Sequence, residues 1–247
     1  MRDILVIGIG AGDPDYLTLQ AVKAIGRADV FFLLDKGEEK DSLIALRRRI
    51  LAEHARAGHR VAVGQDPARD RTPADYTGTI ADWRARRADV CASLIAGLAD
   101  GETGAFLVWG DPSLYDSTIG ILDDLLSRGL EFRHEVIPGI SSVSALAAQH
   151  RIGLNRVGRP FQVTTGRRLA ENGIPEGVDD VVVMLDANPD LARYPEADVY
   201  WGAYLGTDDE LLAAGPAAEV AGKIAQVRTE ARTRHGWIMD TYLLRRR

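Results

Sequence analysis

Ala105-Phe106-Leu107-Val108-Trp109-Gly110-Asp111-Pro112-Ser113-Leu114-Tyr115 is the stretch whose reading decides the fold. The apolar run Ala105–Val108 reads as a buried strand. It runs into Gly110-Asp111-Pro112, a turn that exposes backbone amides, one carboxylate and a rigid kink. A small polar ligand can dock against those parts. Alone, however, Gly-Asp-Pro is common in ordinary turns and does not establish a function.

Two other stretches share this plan. Asp3–Ile7 reads as a strand and leads into Gly8-Ile9-Gly10-Ala11-Gly12-Asp13-Pro14. The dinucleotide fingerprint needs a glycine at the sixth position of such a loop, and Asp13 stands there. The plain reading is a tight strand-to-helix turn. Val136-Ile137-Pro138-Gly139-Ile140-Ser141-Ser142 is again a strand ending in a turn. Its serines can cap free helix amides or face a ligand, and capping is the default.

Working outward, strands and helices alternate. Leu17, Ala21, Val22 and Ile25 share a helical face, and Val30–Leu34 reads as a strand. Leu43, Leu46, Ile50 and Leu51 mark a helix that Gly58 stops. Arg60–Val63 is a short strand, and residues 64–79 a long loop. Ile80, Trp83, Arg87, Cys91, Leu94 and Leu98 mark a longer helix. A helix at 118–128, a strand at Phe132–Ile137 and a helix after Ser142 complete a doubly wound α/β pattern. Gly153, Gly158 and Pro160 then interrupt it, which predicts an N-terminal α/β domain over 1–155 and a C-terminal α/β domain with a mixed sheet over 156–247. In the latter, Phe161–Thr164, Val181–Leu185, Val199–Tyr204 and Trp237–Leu244 are strand candidates, with a helix at 217–234.

Composition narrows the class. A chain of 247 residues can bury a sizeable core. Its formal charge of −6 argues against a general nucleic-acid binder. Cys91 is the only cysteine, and its helical setting predicts a buried, inert thiol. No stretch reaches the roughly 18 apolar residues of a membrane span. The strand-like start leaves no room for a signal peptide, so no membrane association and a cytoplasmic location are expected. The five histidines lack ligand spacing and have no cysteine partners, which predicts no metal site.

Taken in this order, the glycine loop, the Gly-Asp-Pro-x-x-Tyr turn and the Ile-Pro-Gly-Ile-Ser segment resemble the signatures of the tetrapyrrole methylases. These are S-adenosyl-L-methionine-dependent methyltransferases of corrin and sirohaem synthesis. Ala11 stands where the familiar loop has proline. Further features are Asp35-Lys36-Gly37, Asp66–Arg71 with Tyr76, Thr164–Arg167, Tyr200–Thr207 and Gly236–Tyr242. With them the resemblance extends over essentially the whole chain. It narrows to members of aerobic cobalamin synthesis that methylate C1 of a precorrin and release acetate.

The resemblance implies two α/β domains with the cofactor cleft between them, a small-molecule tetrapyrrole substrate and a homodimer. It implies cofactor contacts from Ala11, Trp109, Gly110, Asp111, Leu114, Ser141, Ser142, Met184 and Gly202. Asp111 can instead lock its own turn, and Met184 is ordinarily a core residue whose neighbour Leu185 could be the contact. Methyl transfer mainly requires positioning, which can supply about 7–11 kcal/mol. Deacetylation asks for a base and an oxyanion donor. Asp35, Tyr115 and Asp186 are the catalytic candidates in that order, ahead of Lys36 and Asp116. Each has a structural alternative: Asp35 can pair with Lys36 or cap a helix, and Tyr115 can simply pack.

The substrate's carboxylates call for arginines, which can grip them in a bidentate fork. Arg69, Arg71 and Arg167 are expected in loops at strand ends. Arg47–Arg49 and Arg84, Arg86 and Arg87 are expected on solvated helix faces, and Arg245–Arg247 as a frayed tail. Two other functions stay open at this stage: methylation of a different ring carbon, and a non-catalytic tetrapyrrole-binding protein of the same fold. A dinucleotide oxidoreductase is disfavoured by the glycine spacing.

Overall fold

The computed structural model describes residues 1–35, 41–68 and 76–247. It divides into two compact units: Met1–Gly10 with Pro14–Ile140, and Ala11–Asp13 with Ser141–Arg247.

The first unit is built on five parallel strands: β1 (Arg2–Gly8), β2 (Val30–Asp35), β3 (Arg60–Gln65), β4 (Thr103–Val108) and β5 (Phe132–Ile137). Their order is β3-β2-β4-β1-β5. Between them run α1 (Leu19–Arg27), α2 (Asp41–His54), α3 (Tyr76–Ala96) and α4 (Thr118–Ser127). Alternation along β1 assigns the faces, because successive side chains point to opposite sides. Leu5 and Ile7 join Ala21, Ile25, Ile50 and Leu51 of α1 and α2. Ile4 and Val6 join Ala88, Cys91, Ile95, Ile121 and Leu125 of α3 and α4. Both faces are therefore covered, which explains the unbroken apolar runs of β1 and β4. Thr18 caps α1 by accepting a hydrogen bond from the Ala21 amide at 3.0 Å.

The second unit holds α5 (Ser142–His150), α6 (Gly166–Asn172) and α7 (Ala217–His235). Its sheet contains β6 (Phe161–Thr165), β7 (Asp180–Met184), β8 (Ala197–Ala203), β9 (Leu211–Pro216) and β10 (Asp240–Arg246), in the order β6-β7-β10-β8-β9. Only β6 and β7 pair in parallel; β7–β10, β10–β8 and β8–β9 are antiparallel. Trp201 and Tyr242 anchor the core with Val181, Val183 and Ile224 of α7. Helix α5 belongs to this unit, and His150 Nε2 lies 3.0 Å from the Trp201 carbonyl oxygen. The Gly153–Pro160 interruption thus falls inside the second unit, between α5 and β6.

Several local expectations change. The last strand starts at Asp240 rather than Trp237. Gly236, at φ +73°, ends α7, and the Trp237 carbonyl is taken by the Tyr204 hydroxyl at 2.6 Å. The terminal arginines are not frayed. Arg245 pairs with the fully buried Asp180 at 2.6 Å, and the Arg247 amide bonds Glu196 O at 3.1 Å. Strand β9 and helix α6 carry little signal in the sequence. Leu-Leu-Ala-Ala-Gly-Pro has little β character of its own, and seven residues are too few to establish a helical period.

Candidate functional site

In the first unit the three glycine-bearing turns meet. β4, β1 and β5 are sheet neighbours, so their carboxyl ends emerge side by side. Gly110 donates its amide to Gly10 O at 2.8 Å, and Gly10 donates back to Gly110 O at 3.3 Å. The Gly139 amide donates to Asp111 Oδ2 at 2.9 Å. A Cβ on Gly139 would lie 2.1 Å from Gly110 O, so the backbones approach as only glycine permits. Gly110 itself sits at φ +70°.

Asp111 is the knot of this cluster. Oδ1 accepts the Ser113 amide at 2.8 Å and the Ser113 hydroxyl, while Oδ2 holds Gly139. Burial opposes its charge, but the Ser113 hydroxyl and the Gly139 and Ser113 amides outweigh that and keep its carboxyl below the usual range. The turn-locking alternative is therefore realised, and Asp111 also ties two turns together. Leu114 donates its amide to Asp111 O at 3.2 Å. Trp109 Nε1 is buried and has no hydrogen-bond partner among the described residues. Tyr115 follows at φ +54°, a left-handed backbone that costs an L-residue about 1–2 kcal/mol. The residue is 46% exposed, and partial burial raises its phenol pKa.

At the neighbouring strand ends, Asp35 is half-buried and accepts through its carbonyl from the Asp66 amide at 2.9 Å and from Gln65 Nε2 at 3.3 Å. Arg87 is not on a solvated face. It is buried against Asp66, with Nε 3.2 Å from Oδ1, and donates Nη1 to Ser117 Oγ at 3.0 Å. Its guanidinium lies 5.1 Å from the centre of the Trp83 ring. Arg47 also turns inward. Its Nε points to Leu107 O at 3.4 Å, and burial lowers its pKa while Asp116 opposes the shift.

In the second unit, cross-strand register sets Thr165, Met184, Thr241, Gly202 and Leu212 in one row. Ser142 Oγ lies 3.2 Å from Thr241 Oγ1, in the middle of that row. Ser141 caps α5 by accepting from the Ser144 amide at 3.3 Å. Gly202 is buried, and a Cβ there would meet Leu205 Cδ2 at 2.7 Å and Leu146 Cδ1 at 3.0 Å. Ala11 is 2% exposed, in the Ala11–Asp13 segment grouped with this unit. Met184 ends β7 half-buried, and Leu185 after it stands at φ +54° and 63% exposed.

Each carboxylate oxygen of Asp186 accepts one hydrogen bond. Tyr242 donates to Oδ2 at 2.6 Å, and the Asn188 amide donates to Oδ1 at 3.0 Å. Burial, then the Asp186 charge, raises the Tyr242 phenol pKa. Arg167 lies in the first turn of α6 rather than in a loop, paired with Glu171 at 3.1 Å. Thr165 caps that helix, which is why the strand passes into it without a loop. Arg69 and Arg71 lie outside the described residues, as do Lys36 and Gly37. Thr241 and the buried Arg87–Asp66 pair were missed. Arg87 did carry a signal, since a charged residue stood on an otherwise apolar helical stripe. Thr241 carried none, because its place depends on three strands pairing.

A family model described as Tetrapyrrole (Corrin/Porphyrin) Methylases matches residues 3–221. The precorrin-6A synthase [deacetylating] of Sinorhizobium sp is 48% identical, over 100% of this chain and 96% of that protein. A chloroplastic S-adenosyl-L-methionine-dependent uroporphyrinogen III methyltransferase of Arabidopsis thaliana is 30% identical, over 83% of this chain and 47% of that protein. Among solved structures, a cobalamin synthesis related protein (CobF) from Corynebacterium diphtheriae superposes with a TM-score of 0.83. It is 39% identical and covers 100% of this chain and 99% of that one. The Thermus thermophilus uroporphyrin-III C-methyl transferase, solved with S-adenosyl homocysteine, shares the fold at a TM-score of 0.63 and 20% identity, covering 98% and 96%.

Proposed function

This chain belongs to the tetrapyrrole (corrin/porphyrin) methylases, and from that premise we propose that it converts precorrin-5 to precorrin-6A. The reaction methylates C1 of the ring with S-adenosyl-L-methionine and releases acetate. The observation that carries this reading is the 48% identity, along its whole length, to a deacetylating precorrin-6A synthase. The meeting of the Gly10, Gly110 and Gly139 turns supports it.

When bound, S-adenosyl-L-methionine supplies a methyl group activated on a sulfonium. The residues present suit that group. Asp111 stays ionised beside the turn amides and offers negative charge to a cofactor with two cationic centres. Trp109 Nε1 is a buried donor left over at the same turn. In this reading the cofactor contacts are Trp109, Gly110, Asp111, Leu114, Ala11, Ser141, Ser142, Met184 and Gly202.

For deacetylation, the Tyr115 phenol, protonated at neutral pH like any ordinary tyrosine, donates to the oxyanion that forms on the acetyl carbonyl. Asp35 takes a proton as water adds to that carbonyl. The ring–acetyl bond then breaks, its electron pair enters the conjugated macrocycle, and acetate departs. Asp186, held by Tyr242 and the Asn188 amide, is the third candidate for this step. Arg69, Arg71 and Arg167 remain the arginines proposed for the substrate carboxylates. A cytoplasmic homodimer completes the reading.

The test is a product balance. Purified protein is given precorrin-5 and S-adenosyl-L-methionine, and acetate and S-adenosylhomocysteine are measured. Equal amounts are expected. S-adenosylhomocysteine without acetate indicates methylation of another ring carbon, and neither product indicates a tetrapyrrole-binding protein.

A further inference from the structure

Arg228 lies on α7, outside every stretch that carries the family resemblance. Its side chain is 11% exposed, and its polar contacts among the described residues converge on one place. Nη2 donates to Asp186 O at 2.7 Å, and Nη1 donates to Ala187 O at 3.1 Å. Nε donates to Asp240 Oδ2 at 2.8 Å. Asp240, 3% exposed, is itself oriented by Trp201 Nε1 at 2.9 Å. The guanidinium therefore has a fixed plane, and its fork grips two consecutive carbonyls just after Met184-Leu185. On the other side of the turn, Tyr242 and the Asn188 amide hold the Asp186 carboxylate.

Between these restraints Leu185 adopts φ +54° with its side chain outward. A strand released at this point would favour extended backbone, and a one-residue slip would turn Met184 to the opposite face. We propose that Arg228 is a positioning residue for the cofactor: it clamps the turn after β7 so that Met184 keeps its orientation. Tyr242 assists through Asp186. The proposal rests on the reading of Met184 as a cofactor contact.

The test uses the full chain with R228M, R228K, Y242F and M184A. It measures KM for S-adenosyl-L-methionine, kcat, S-adenosylhomocysteine affinity by calorimetry, and melting temperature. R228M is expected to weaken S-adenosylhomocysteine and raise the cofactor KM about tenfold, equivalent to about 1.4 kcal/mol. Its kcat should stay within about twofold, because clamping affects binding rather than chemistry. R228K should fall between R228M and the natural protein, since an ammonium cannot span both carbonyls and Asp240. Y242F, which loses one hydrogen bond, should move affinity the same way by less and keeps the test open should R228M fail to fold. R228M/M184A should bind no more weakly than M184A. Lower melting temperatures with unchanged cofactor affinity in R228M and Y242F would make the clamp merely structural and overturn the proposal. Unchanged affinity in M184A would instead remove the assignment of Met184 and the clamp's role with it.

Discussion

Replacing Asp111 by alanine tests the clasp on which the first unit's site depends. The substitution removes the acceptor of the Gly139 amide, at 2.9 Å, and both acceptor contacts to Ser113. The Gly139 amide is part-buried, and a donor stranded there costs about 1–3 kcal/mol. The Ser113 contacts are exposed, and water replaces most of them, which adds up to about 1 kcal/mol. The expected loss is about 2–4 kcal/mol in urea unfolding of the first unit. S-adenosylhomocysteine affinity should fall about tenfold as the turns separate. D111N should lie between, since one amide oxygen cannot serve Ser113 and Gly139 together. The pH dependence has a definite sign. The folded-state carboxyl is depressed, so its stabilisation is present above an unfolded value of about 3.9 and is lost as pH falls through the folded value. The stability gap between the natural protein and D111A should therefore be flat from neutral pH to about 4 and close below that. A D111A protein within about 0.5 kcal/mol of the natural one, with unchanged S-adenosylhomocysteine affinity, refutes the argument.

Other expectations follow the same logic. Gly139→Ala places a Cβ 2.1 Å from Gly110 O, with backbone on every side, so soluble yield should collapse or stability drop by more than about 3 kcal/mol; an ordinary denaturation curve contradicts it. Arg87→Met removes the buried cation beside Asp66 and should cost about 3–5 kcal/mol, partly recovered by adding D66N. Failure of the second change to recover stability would place the loss in packing around Trp83. Burial, partly opposed by Arg87, pushes the Cys91 thiol up to about 11. Iodoacetamide at pH 8 should therefore label the folded protein negligibly and the denatured protein fully, as read by mass spectrometry.

Much of the first unit was legible in the sequence for a definite reason. The central strands β1, β2 and β4 are packed into the core, so they stand out as apolar runs bounded by glycine turns, whereas the edge strands β3 and β5 are largely exposed. The second unit was less legible because its sheet is mostly antiparallel, with short edge strands. β9 alternates only weakly and became a strand by pairing with β8. The candidate site divides similarly. The Gly-Asp-Pro turn announced itself, but its partners did not: no periodicity reveals that Asp111 reaches an amide 28 residues on. The arginines were misjudged for a related reason. A solvated Arg84 and an inward-turned Arg87 look alike until a carboxylate such as Asp66, just beyond β3, is brought against the helix.

The order of residues along the chain determined the strands, the glycine turns and membership of the methylase family, because each is encoded in local pattern and spacing. Tertiary structure alone decided which carboxylates are occupied, which arginines are buried, and that Met184, Thr241 and Gly202 stand in one row. Those outcomes depend on long-range pairing, where a hydrogen bond or counter-charge comes from a segment that local sequence does not specify.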